Sequence, residues 1–422
     1  MTTQEYIRLH ADDDVRQLAL KGAKDEAVDL SFALDQIRGR QVARVKMPSW
    51  AAVDGIIYPR HLSMEQCSSE ATARYKAGIL SKAVGPLFPS NGRFVDLTGG
   101  LGVDFSFMAR GFADVVYVER SQELCDIATH NMPLLGLDAT IVNADGTEYL
   151  RTMPSADAVF LDPVRRDNHG GRTYALADCT PNVTEMLPLL TQKARTIVLK
   201  LSPMLDWRKA VGDLTNGRKL SVEVHIVSLR NECKELVIVL SASEEGKPLH
   251  VVCANLAAEM SGREGEIFEF DAVQLSFTAG FGIKTASFEP KTDSFRTEIV
   301  GTTPLYLYEP NASIMKAGCF DILCQRYGVV AVAHNSHLFV SDKLIEEFPG
   351  RRFRIISTSS MNKKELRCML SGISQANITV RNFPMTADDL RRKLKLKDGG
   401  SHYLFATTDA TGRHLLLLLE KA

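Results

Sequence analysis

The chain has 422 residues, 45% of them hydrophobic and 24% charged, and its 50 basic and 51 acidic residues give a net charge of −1. That length exceeds one ordinary domain, and the balanced charge argues against a nucleic-acid-binding protein that is basic over its whole surface. No apolar stretch is long enough to span a membrane, the first residues lack the pattern of a signal peptide, and no two of the eight cysteines have C-x2-C spacing. We therefore expect a cytoplasmic protein of two or three domains without a metal site.

Residues 1–85 predict an N-terminal helical region. The stretch 24–45 is rich in helix-forming residues and carries apolar side chains at helical spacing. A second helix is predicted over residues 64–84, where Ser63 and Gln66 have the spacing of a capping box. The first turns of this second helix are unusually polar and lead directly into the first predicted strand.

The most informative segment is residues 93–104, RFVDLTGGLGVD. It predicts a buried strand at residues 94–97, then a glycine-rich loop and then a helix. Glycine lets the chain turn sharply and lets a ligand approach the main chain closely. Asp96, at the end of the strand, adds a carboxylate that suits a ligand with positive charge. The dinucleotide fingerprint G-x-G-x-x-G is disfavoured, because its last position is occupied by Phe105.

Three further apolar runs each end in an acid, at Glu119, Asp145 and Asp162. In an open parallel sheet, ligands bind in the crevice beyond the carboxyl ends of the strands, so these acids and Asp96 should face one crevice. S-adenosylmethionine suits such a site because it carries an ammonium and a sulfonium. Glu119 is the candidate for its ribose hydroxyls and Asp145 for its adenine amine. The predicted cofactor-binding residues are Asp96, Thr98, Gly99, Gly100, Gly102, Asp104, Glu119, Asp145 and Asp162.

The sheet is predicted to end in an antiparallel hairpin. A fifth strand covers residues 196–201, and two β-rich runs, 220–229 and 235–241, flank a short loop. This arrangement resembles the seven-stranded Rossmann-like sheet of the class I methyltransferases, whose last strand is antiparallel. The resemblance covers residues 60–245 and implies the α/β fold class, with the methyltransferase domain itself at residues 86–245.

Two further regions are predicted after the sheet. Residues 246–300 indicate a strand-rich connecting region, and residues 301–422 mix strands and helices as a small α+β domain does. Between residues 341 and 400 there are 13 basic and 7 acidic residues, a local excess of 13 − 7 = +6. A basic C-terminal segment on an otherwise acidic chain indicates a separate domain that binds nucleic acid.

Three segments together resemble the bacterial class I methyltransferases that carry a C-terminal THUMP-like domain. The segments are the polar helix at residues 66–76, Asp162-Pro163-Val164-Arg165-Arg166, and Tyr308-Glu309-Pro310-Asn311-Ala312-Ser313-Ile314. The resemblance covers most of the chain and implies an S-adenosylmethionine-dependent methyltransferase. THUMP domains are RNA-binding modules of RNA-modifying enzymes, so the resemblance also implies an RNA partner, either ribosomal or transfer RNA.

The loop after the fourth strand usually contacts the acceptor in this fold. Asp162 or Asp167 is a candidate for taking a proton, and Lys200 is a candidate for orienting the acceptor. Arg165 and Arg166 are candidates for clamping phosphates with bidentate geometry, and the alternative is that one of them pairs with a nearby acid. These roles are the catalytic and substrate-binding predictions for the first domain.

The same loop is similar to the D-P-P-R loop of enzymes that methylate C5 of pyrimidines in RNA. Those enzymes attack the base with a cysteine after the fifth strand, where this chain has Ser202. Serine is a poor nucleophile without an adjacent base, so covalent C5 addition is disfavoured. We expect a ring nitrogen, an amine or a hydroxyl as the acceptor.

In the C-terminal domain the predicted phosphate contacts are Arg391, Arg392 and Lys393, which belong to a longer basic run. A solvated helix face explains such a run equally well. Two other functions stay open. One is a small-molecule or protein methyltransferase whose C-terminal unit only packs or dimerises. The other is a non-catalytic RNA-binding protein that kept the fold, and the intact acids at positions 96, 119, 145 and 162 argue against it.

Overall fold

The computed structural model of the chain describes residues 1–23, 25–85, 91–165, 176–242, 248–257, 265–272 and 306–422, with the backbone alone at residues 61–63 and 165. The described residues form two compact units. The first takes those within Met1–Leu229, Lys234–His250 and Leu256–Arg263, and the second takes those within Arg230–Cys233, Val251–Asn255 and Glu264–Ala422. The domain boundaries expected from the sequence stay a prediction.

The N-terminal region is helical, as the sequence predicts, and short polar side chains cap its helices. Asp14 and Asp29 accept hydrogen bonds from backbone N–H groups of the helices that follow them. Because Asp29 is a cap, the third helix begins at Leu30 rather than at residue 24. The helices are α1 (Thr3–Leu9), α2 (Val15–Lys21), α3 (Leu30–Lys46), α4 (Pro48–Ala51), α5 (His61–Gln66) and α6 (Glu70–Val84).

The sequence predicts a single helix over residues 64–84, but the structure has two helices there, α5 and α6, so that prediction is wrong. Ser68 and Ser69 lie between them, and the Ser69 hydroxyl caps α6 by accepting from a backbone N–H of its first turn. Serine side chains compete for backbone hydrogen bonds, which favours helix starts over helix interiors. The predicted cap, Ser63, lies inside α5.

The first unit continues with alternating strands and helices. Its strands are β1 (Arg93–Asp96), β2 (Asp114–Glu119), β3 (Thr140–Asn143), β4 (Ala156–Leu161), β5 (Val164–Arg165), β6 (Cys179–Thr180), β7 (Ala194–Leu201), β8 (Leu220–Leu229) and β9 (Glu232–Ala242). Its further helices are α7 (Val103–Met108), α8 (Gln122–Leu134), α9 (Gly146–Thr152), α10 (Val183–Lys193) and α11 (Trp207–Thr215), with a 3-10 turn at Leu176–Asp178.

Seven strands of this unit follow the order β3-β2-β1-β4-β7-β9-β8. The pairs β1–β2, β2–β3, β1–β4 and β4–β7 are parallel, whereas β9 runs antiparallel to β7. This confirms the predicted class I sheet with its antiparallel last strand. The strand order reverses between β1 and β4, and a ligand crevice is expected beyond the carboxyl ends of the strands at that point.

The hairpin that ends the sheet has a tighter turn than the sequence predicts. The expected loop covers residues 230–234, but β9 already begins at Glu232. Arg230 and Asn231 both have positive φ angles, 53° and 63°. A two-residue type I′ turn requires this conformation at both of its central positions, and asparagine tolerates it well.

Aromatic rings pack beneath the first strands. Phe94 of β1 stacks on Phe105 of α7 at 5.9 Å between ring centroids, and Phe105 meets the edge of Tyr117 of β2 at 5.5 Å. Trp50 of α4 is buried and donates a hydrogen bond to the Ser106 hydroxyl at 3.1 Å. These contacts fix α7, and with it the loop after β1, against the sheet and the N-terminal helices.

The second unit has a mixed sheet in the order β13-β14-β12-β15-β18-β17-β16, in which only the pair β16–β17 is parallel among the described strands. The strands are β10 (His250–Leu256, largely in this unit), β11 (Glu266–Asp271), β12 (Tyr306–Pro310), β13 (Val330–Ala331), β14 (Phe339–Ser341), β15 (Gly350–Ser359), β16 (Asn377–Val380), β17 (Tyr403–Thr408) and β18 (His414–Lys421). The helices are α12 (Ala312–Ala317), α13 (Phe320–Tyr327), α14 (Lys363–Met369) and α15 (Ala387–Leu394).

This architecture confirms the predicted C-terminal α+β fold, with one correction. The sequence also predicts one continuous helix over residues 313–327 within this domain. The structure interrupts it at Gly318, which has a φ of 64° and ends α12 in the left-handed conformation. Within the described residues, every helix is too short or too polar to cross a membrane.

Candidate active site

The glycine loop joins β1 to α7 and forms one wall of a cavity of about 560 Å³. Its path depends on Tyr117 of β2, whose hydroxyl donates to the carbonyl of Gly100. A Cβ atom at Gly99 would lie 2.3 Å from the Tyr117 ring, so a larger residue cannot fit without moving the loop. Thr98, Gly99, Gly100 and Gly102, all predicted to bind the cofactor, line the cavity.

Glu119 ends β2 and holds the glycine loop from the neighbouring strand. One of its carboxylate oxygens accepts from the backbone N–H of Gly100 at 2.9 Å, and the other accepts from that of Ser121 at 2.9 Å. The side chain also lines the cavity. A carboxylate oxygen has more than one lone pair, so Glu119 can still accept from ribose hydroxyls, the role predicted for it.

Asp145 lines the cavity and caps α9, where its Oδ1 accepts from Thr147 N at 2.8 Å and Glu148 N at 3.3 Å. The residue after it, Gly146, was missed by sequence reasoning. A Cβ atom at Gly146 would lie 2.1 Å from the carbonyl oxygen of Leu97, so glycine lets α9 start against the end of β1. A glycine directly after a strand-ending acid was the available signal.

Asp96 is placed differently from the other acids. It is buried beneath the loop, where its carboxylate accepts from Thr98 N at 2.9 Å, and it is absent from the described residues that line the cavity. Burial raises the pKa of Asp96 well above its ordinary value, and the nearby carboxylates of Asp104, Asp162 and Glu119 raise it further. Its contact with the cofactor stays a prediction.

The ends of β1 and β4 are joined through the hydroxyl of Thr98. This hydroxyl accepts from the backbone N–H of Asp162 at 2.6 Å and lies 3.4 Å from Asp96 Oδ1. The first residue of the predicted acceptor loop is therefore attached directly to the glycine loop.

Lys200, near the end of β7, lies between two predicted site carboxylates. Its Nζ donates to Asp162 Oδ2 at 2.5 Å and lies 3.6 Å from Asp104 Oδ2. Burial alone lowers the pKa of an amine, but the charges of Asp162, Asp104 and Glu235 outweigh burial and raise the pKa of Lys200 above its ordinary value. Lys200 therefore stays charged, which suits a group that orients and not one that takes a proton.

Lys76 of α6, which sequence reasoning missed, lies beside Asp104 in the protein interior. Its Nζ donates to both oxygens of Glu235, at 2.5 and 2.7 Å, and lies 3.1 Å from Asp104 Oδ1. The Ser68 hydroxyl donates to Asp104 Oδ2 at 2.7 Å. Burial raises the pKa of Glu235. Burial acts in the same direction on Asp104, but the charges of Lys76 and Lys200 outweigh burial there, so the pKa of Asp104 is lowered.

The predicted acceptor loop is described only in part. Asp162 lines the cavity, and β5 follows it, paired antiparallel with β6. The side chain of Arg165, and all of Arg166 and Asp167, lie outside the described residues. Their predicted roles stay predictions.

A cysteine also lines the cavity, at Cys67 between α5 and α6. Its thiol donates to the carbonyl of Met64 at 3.2 Å, and burial raises its pKa. Because the thiolate is the reactive form of cysteine, a raised pKa disfavours nucleophilic attack by this residue.

The predicted RNA contacts of the second unit, Arg391, Arg392 and Lys393, lie on α15. Arg391 forms ion pairs with Asp388 at 2.6 Å and with Asp398 at 2.7 Å. Arg392 pairs with a further acid of the same helix. Neighbouring carboxylates therefore offset part of the charge of this run.

Two family models match consecutive segments that make up most of the second unit. A ferredoxin-like domain matches residues 306–349, and a THUMP domain-like family matches residues 350–421. A search of curated proteins found no match.

Solved structures extend the comparison to the whole chain. A candidate methyltransferase from Porphyromonas gingivalis W83 is 31% identical, and the match covers 99% of this chain and 97% of that chain with a TM-score of 0.79. More distant is an S-adenosylmethionine-dependent methyltransferase from Agrobacterium tumefaciens, with 17% identity, coverage of 42% and 63%, and a TM-score of 0.32. A tRNA m1G37 methyltransferase from M. jannaschii has 14% identity, coverage of 42% and 52%, and a TM-score of 0.30.

The first of these structures shows the family, whereas the other two are too distant to add to it. At 31% identity the match extends over nearly the full length of both proteins. The chain belongs to the bacterial class I S-adenosylmethionine-dependent methyltransferases that carry a C-terminal THUMP-like domain.

Proposed function

We propose that this methyltransferase acts on RNA, either ribosomal or transfer RNA, at a ring nitrogen, an amine or a hydroxyl. The observation that carries the proposal is the Asp162 carboxylate, which lines the cavity beside the glycine loop and is held by Lys200. A carboxylate at this place suits an acceptor that presents an N–H or O–H group.

S-adenosylmethionine supplies an electrophilic methyl group, so the protein mainly has to align the acceptor and exclude water. Lys200 binds Asp162 Oδ2, and we assign Oδ1 of the same carboxylate to the acceptor's N–H or O–H. The ammonium of Lys200 fixes the carboxylate without competing for the proton. Thr98 fixes the main chain of Asp162 from the other side.

Cys67, the cysteine that lines the cavity, supports an acceptor other than a pyrimidine C5 atom. Covalent C5 chemistry needs a thiolate, and burial raises the pKa of Cys67, while Ser202 follows β7. Direct attack by nitrogen or oxygen needs no protein nucleophile. This supports an N- or O-methyltransferase over a C5-methyltransferase.

The choice of RNA rests on the second unit. Its family match is THUMP domain-like, and the THUMP domains that it resembles are RNA-binding modules of RNA-modifying enzymes. Residues 341–400 also carry the excess of basic side chains noted above. A small-molecule or protein substrate remains the alternative, with the second unit then serving only for packing or dimerisation.

Mass spectrometry of nucleosides tests this proposal. Ribosomal and transfer RNA would be compared between cells with and without the protein, and the deficient cells would be complemented with wild type, Asp162→Ala or Glu123→Ala. Glu123 is an exposed acid of α8 and serves as the control. We expect one methylated nucleoside to disappear and to return with wild type and Glu123→Ala, but not with Asp162→Ala.

Two outcomes would count against parts of the proposal. Identical nucleoside profiles with and without the protein would refute the RNA substrate and favour the alternative. Restoration by Asp162→Ala would refute the role of Asp162 but leave the RNA substrate intact.

A further inference from the structure

Glu309 of β12 is a buried acid in the second unit that the proposed function does not use. Its side chain is only 3% exposed, and it lies directly opposite Arg351 of β15 in the antiparallel ladder. Arg351 Nε donates to Glu309 Oε2 at 2.5 Å, while Nε and Nη2 of Arg381 donate to Oε1 at 3.0 and 2.8 Å. Two guanidinium groups thus bind one carboxylate, and we call these three residues the arginine clamp.

The arginine clamp has a net charge of 2 − 1 = +1 and is open to solvent on one side. The side chains of Arg351 and Arg381 are 41% and 39% exposed, although their carboxylate partner is not. A guanidinium has five N–H donors, and Glu309 uses only the edge formed by Nε and Nη2 of each group. Nη2 of Arg351 also lies 3.5 Å from Thr379 Oγ1. The donors that remain, which include both on Nη1 of each group, are those left to meet an anion from outside.

Arg351 is also held in place by aromatic rings. Its guanidinium carbon lies 5.5 Å from the centroid of the Phe353 ring and 5.4 Å from that of Phe405, and both rings are buried. Rings at this distance attract a cation through their negative faces. Because its position is fixed in advance, Arg351 loses little conformational freedom when it binds an anion.

The acid of the arginine clamp is buried, whereas the two acids that pair with Arg391 of α15 are exposed. Asp388 and Asp398, which pair with Arg391, are 85% and 73% exposed. An exposed carboxylate repels an approaching phosphate, whereas the buried Glu309 presents its arginines to solvent and not its own charge. The arginine clamp is therefore better suited to phosphate than the basic run of α15.

The clamp also joins the two segments that match known domains. Glu309 belongs to the ferredoxin-like match at residues 306–349, and both arginines belong to the THUMP domain-like match at residues 350–421. We propose that Arg351 and Arg381 bind backbone phosphates of the RNA substrate, with Glu309 as a positioning residue that aims them at solvent. This inference rests on the proposed function, because RNA is taken as the ligand.

The salt dependence of RNA binding tests the inference. The full-length protein would be titrated into labelled total transfer RNA and, separately, ribosomal RNA over a range of potassium chloride concentrations, as wild type and as the double variant Arg351→Gln/Arg381→Gln. Each lost phosphate contact should reduce the slope of log affinity against log salt by about 1, and the double variant should bind about tenfold more weakly at low salt.

Arg354→Gln is the matched control, because Arg354 is on the same strand but pairs at 2.9 Å with Glu420, which is 43% exposed. It should bind within about twofold of wild type. A double variant that binds RNA with the wild-type affinity and slope would overturn the inference and leave the proposed function standing. A wild type that binds neither RNA would instead refute the proposed RNA substrate itself.

A second measurement avoids the risk that the variant fails to fold. Wild-type protein would be modified with phenylglyoxal, with and without RNA, and the modified arginines identified by mass spectrometry of peptides. RNA should protect Arg351 and Arg381 but leave Arg354 reactive. Equal modification of Arg351 and Arg381 with and without bound RNA would overturn the inference.

Discussion

Lys76 and Glu235 form a buried ion pair in which the ammonium nitrogen lies 2.5 and 2.7 Å from the two carboxylate oxygens. Lys76 is fully inaccessible to solvent, and Glu235 is 3% exposed. Asp104 and Lys200 continue the alternation of charge from this pair to Asp162. The pair therefore supports the candidate catalytic group from inside the protein.

Lys76→Met should destabilise the protein by about 3–5 kcal/mol, because it leaves the buried charge of Glu235 without its ion-pair partner and leaves Asp104 with Lys200 and Ser68 alone. The double variant Lys76→Met/Glu235→Leu should regain much of that stability, since apolar pairs often replace buried ion pairs at little loss. Urea unfolding followed by circular dichroism measures both. A single variant as stable as the double variant would contradict this account.

Asp96→Asn should change how stability depends on pH. The folded pKa of Asp96 is raised, so the folded protein keeps this proton to a higher pH than the unfolded chain does. Wild type therefore loses stability as the pH rises from the unfolded pKa through the folded one. Asparagine carries no such proton. The stability of the variant relative to that of wild type should therefore increase as the pH rises.

Thermal unfolding of wild type and Asp96→Asn between pH 4 and pH 8 checks this sign. The oxygen of asparagine can still accept from Thr98 N, so that hydrogen bond is kept. Parallel stability curves for the two proteins would show that Asp96 titrates normally in the folded state.

Gly99→Ala should weaken the binding of S-adenosylmethionine by about tenfold or more. The new Cβ would lie 2.3 Å from the Tyr117 ring, and overpacking of this kind costs about 1–3 kcal/mol. Gly78→Ala is the control, because a Cβ there meets nothing within 4 Å on α6. It should stabilise the helix by about 0.5–1 kcal/mol and leave binding unchanged.

Calorimetric titration with S-adenosylmethionine measures both glycine variants. A Gly99→Ala protein that binds S-adenosylmethionine as tightly as wild type and Gly78→Ala do would mean that the glycine loop does not hold the donor. Loss of binding in both would point to general misfolding and would be recognised by circular dichroism.

The triple variant Arg391→Gln/Arg392→Gln/Lys393→Gln should weaken RNA binding only about twofold to threefold at low salt. Asp388 and Asp398 already offset much of the charge of Arg391, so its removal changes the local field little. Filter binding at several salt concentrations measures the effect. A loss larger than that of the arginine clamp variant would make α15 the main phosphate contact.

The acids at the cavity could be predicted from sequence for a simple reason. Parallel strands bring their carboxyl ends to one edge, so acids at or just after the ends of β2, β3 and β4 had to meet there. Glu119, Asp145 and Asp162 do line one cavity. Asp96 satisfies the same rule but lies beneath the loop, because the main chain of Thr98 turns back over it.

The rest of the site could not be read from the sequence, because it depends on contacts between distant positions. Lys76 and Glu235 are 159 residues apart, and neither has a local pattern that marks it as buried. A lysine in a polar helix normally indicates a solvated face. Only the packing of α6 against α7 and the strands β4, β7 and β8 turns it into an internal charge.

The hydroxyl of Thr98 has a consequence for the order of binding. It joins the main chain at Asp162 to the loop that holds the methyl donor, so neither segment can shift without the other. Once the methyl donor has bound and fixed the glycine loop, the nucleotide to be modified meets an acceptor loop whose first residue, Asp162, is already in position. We expect a compulsory sequence in which the donor enters first, visible as tighter RNA binding when S-adenosylmethionine or its demethylated product is present.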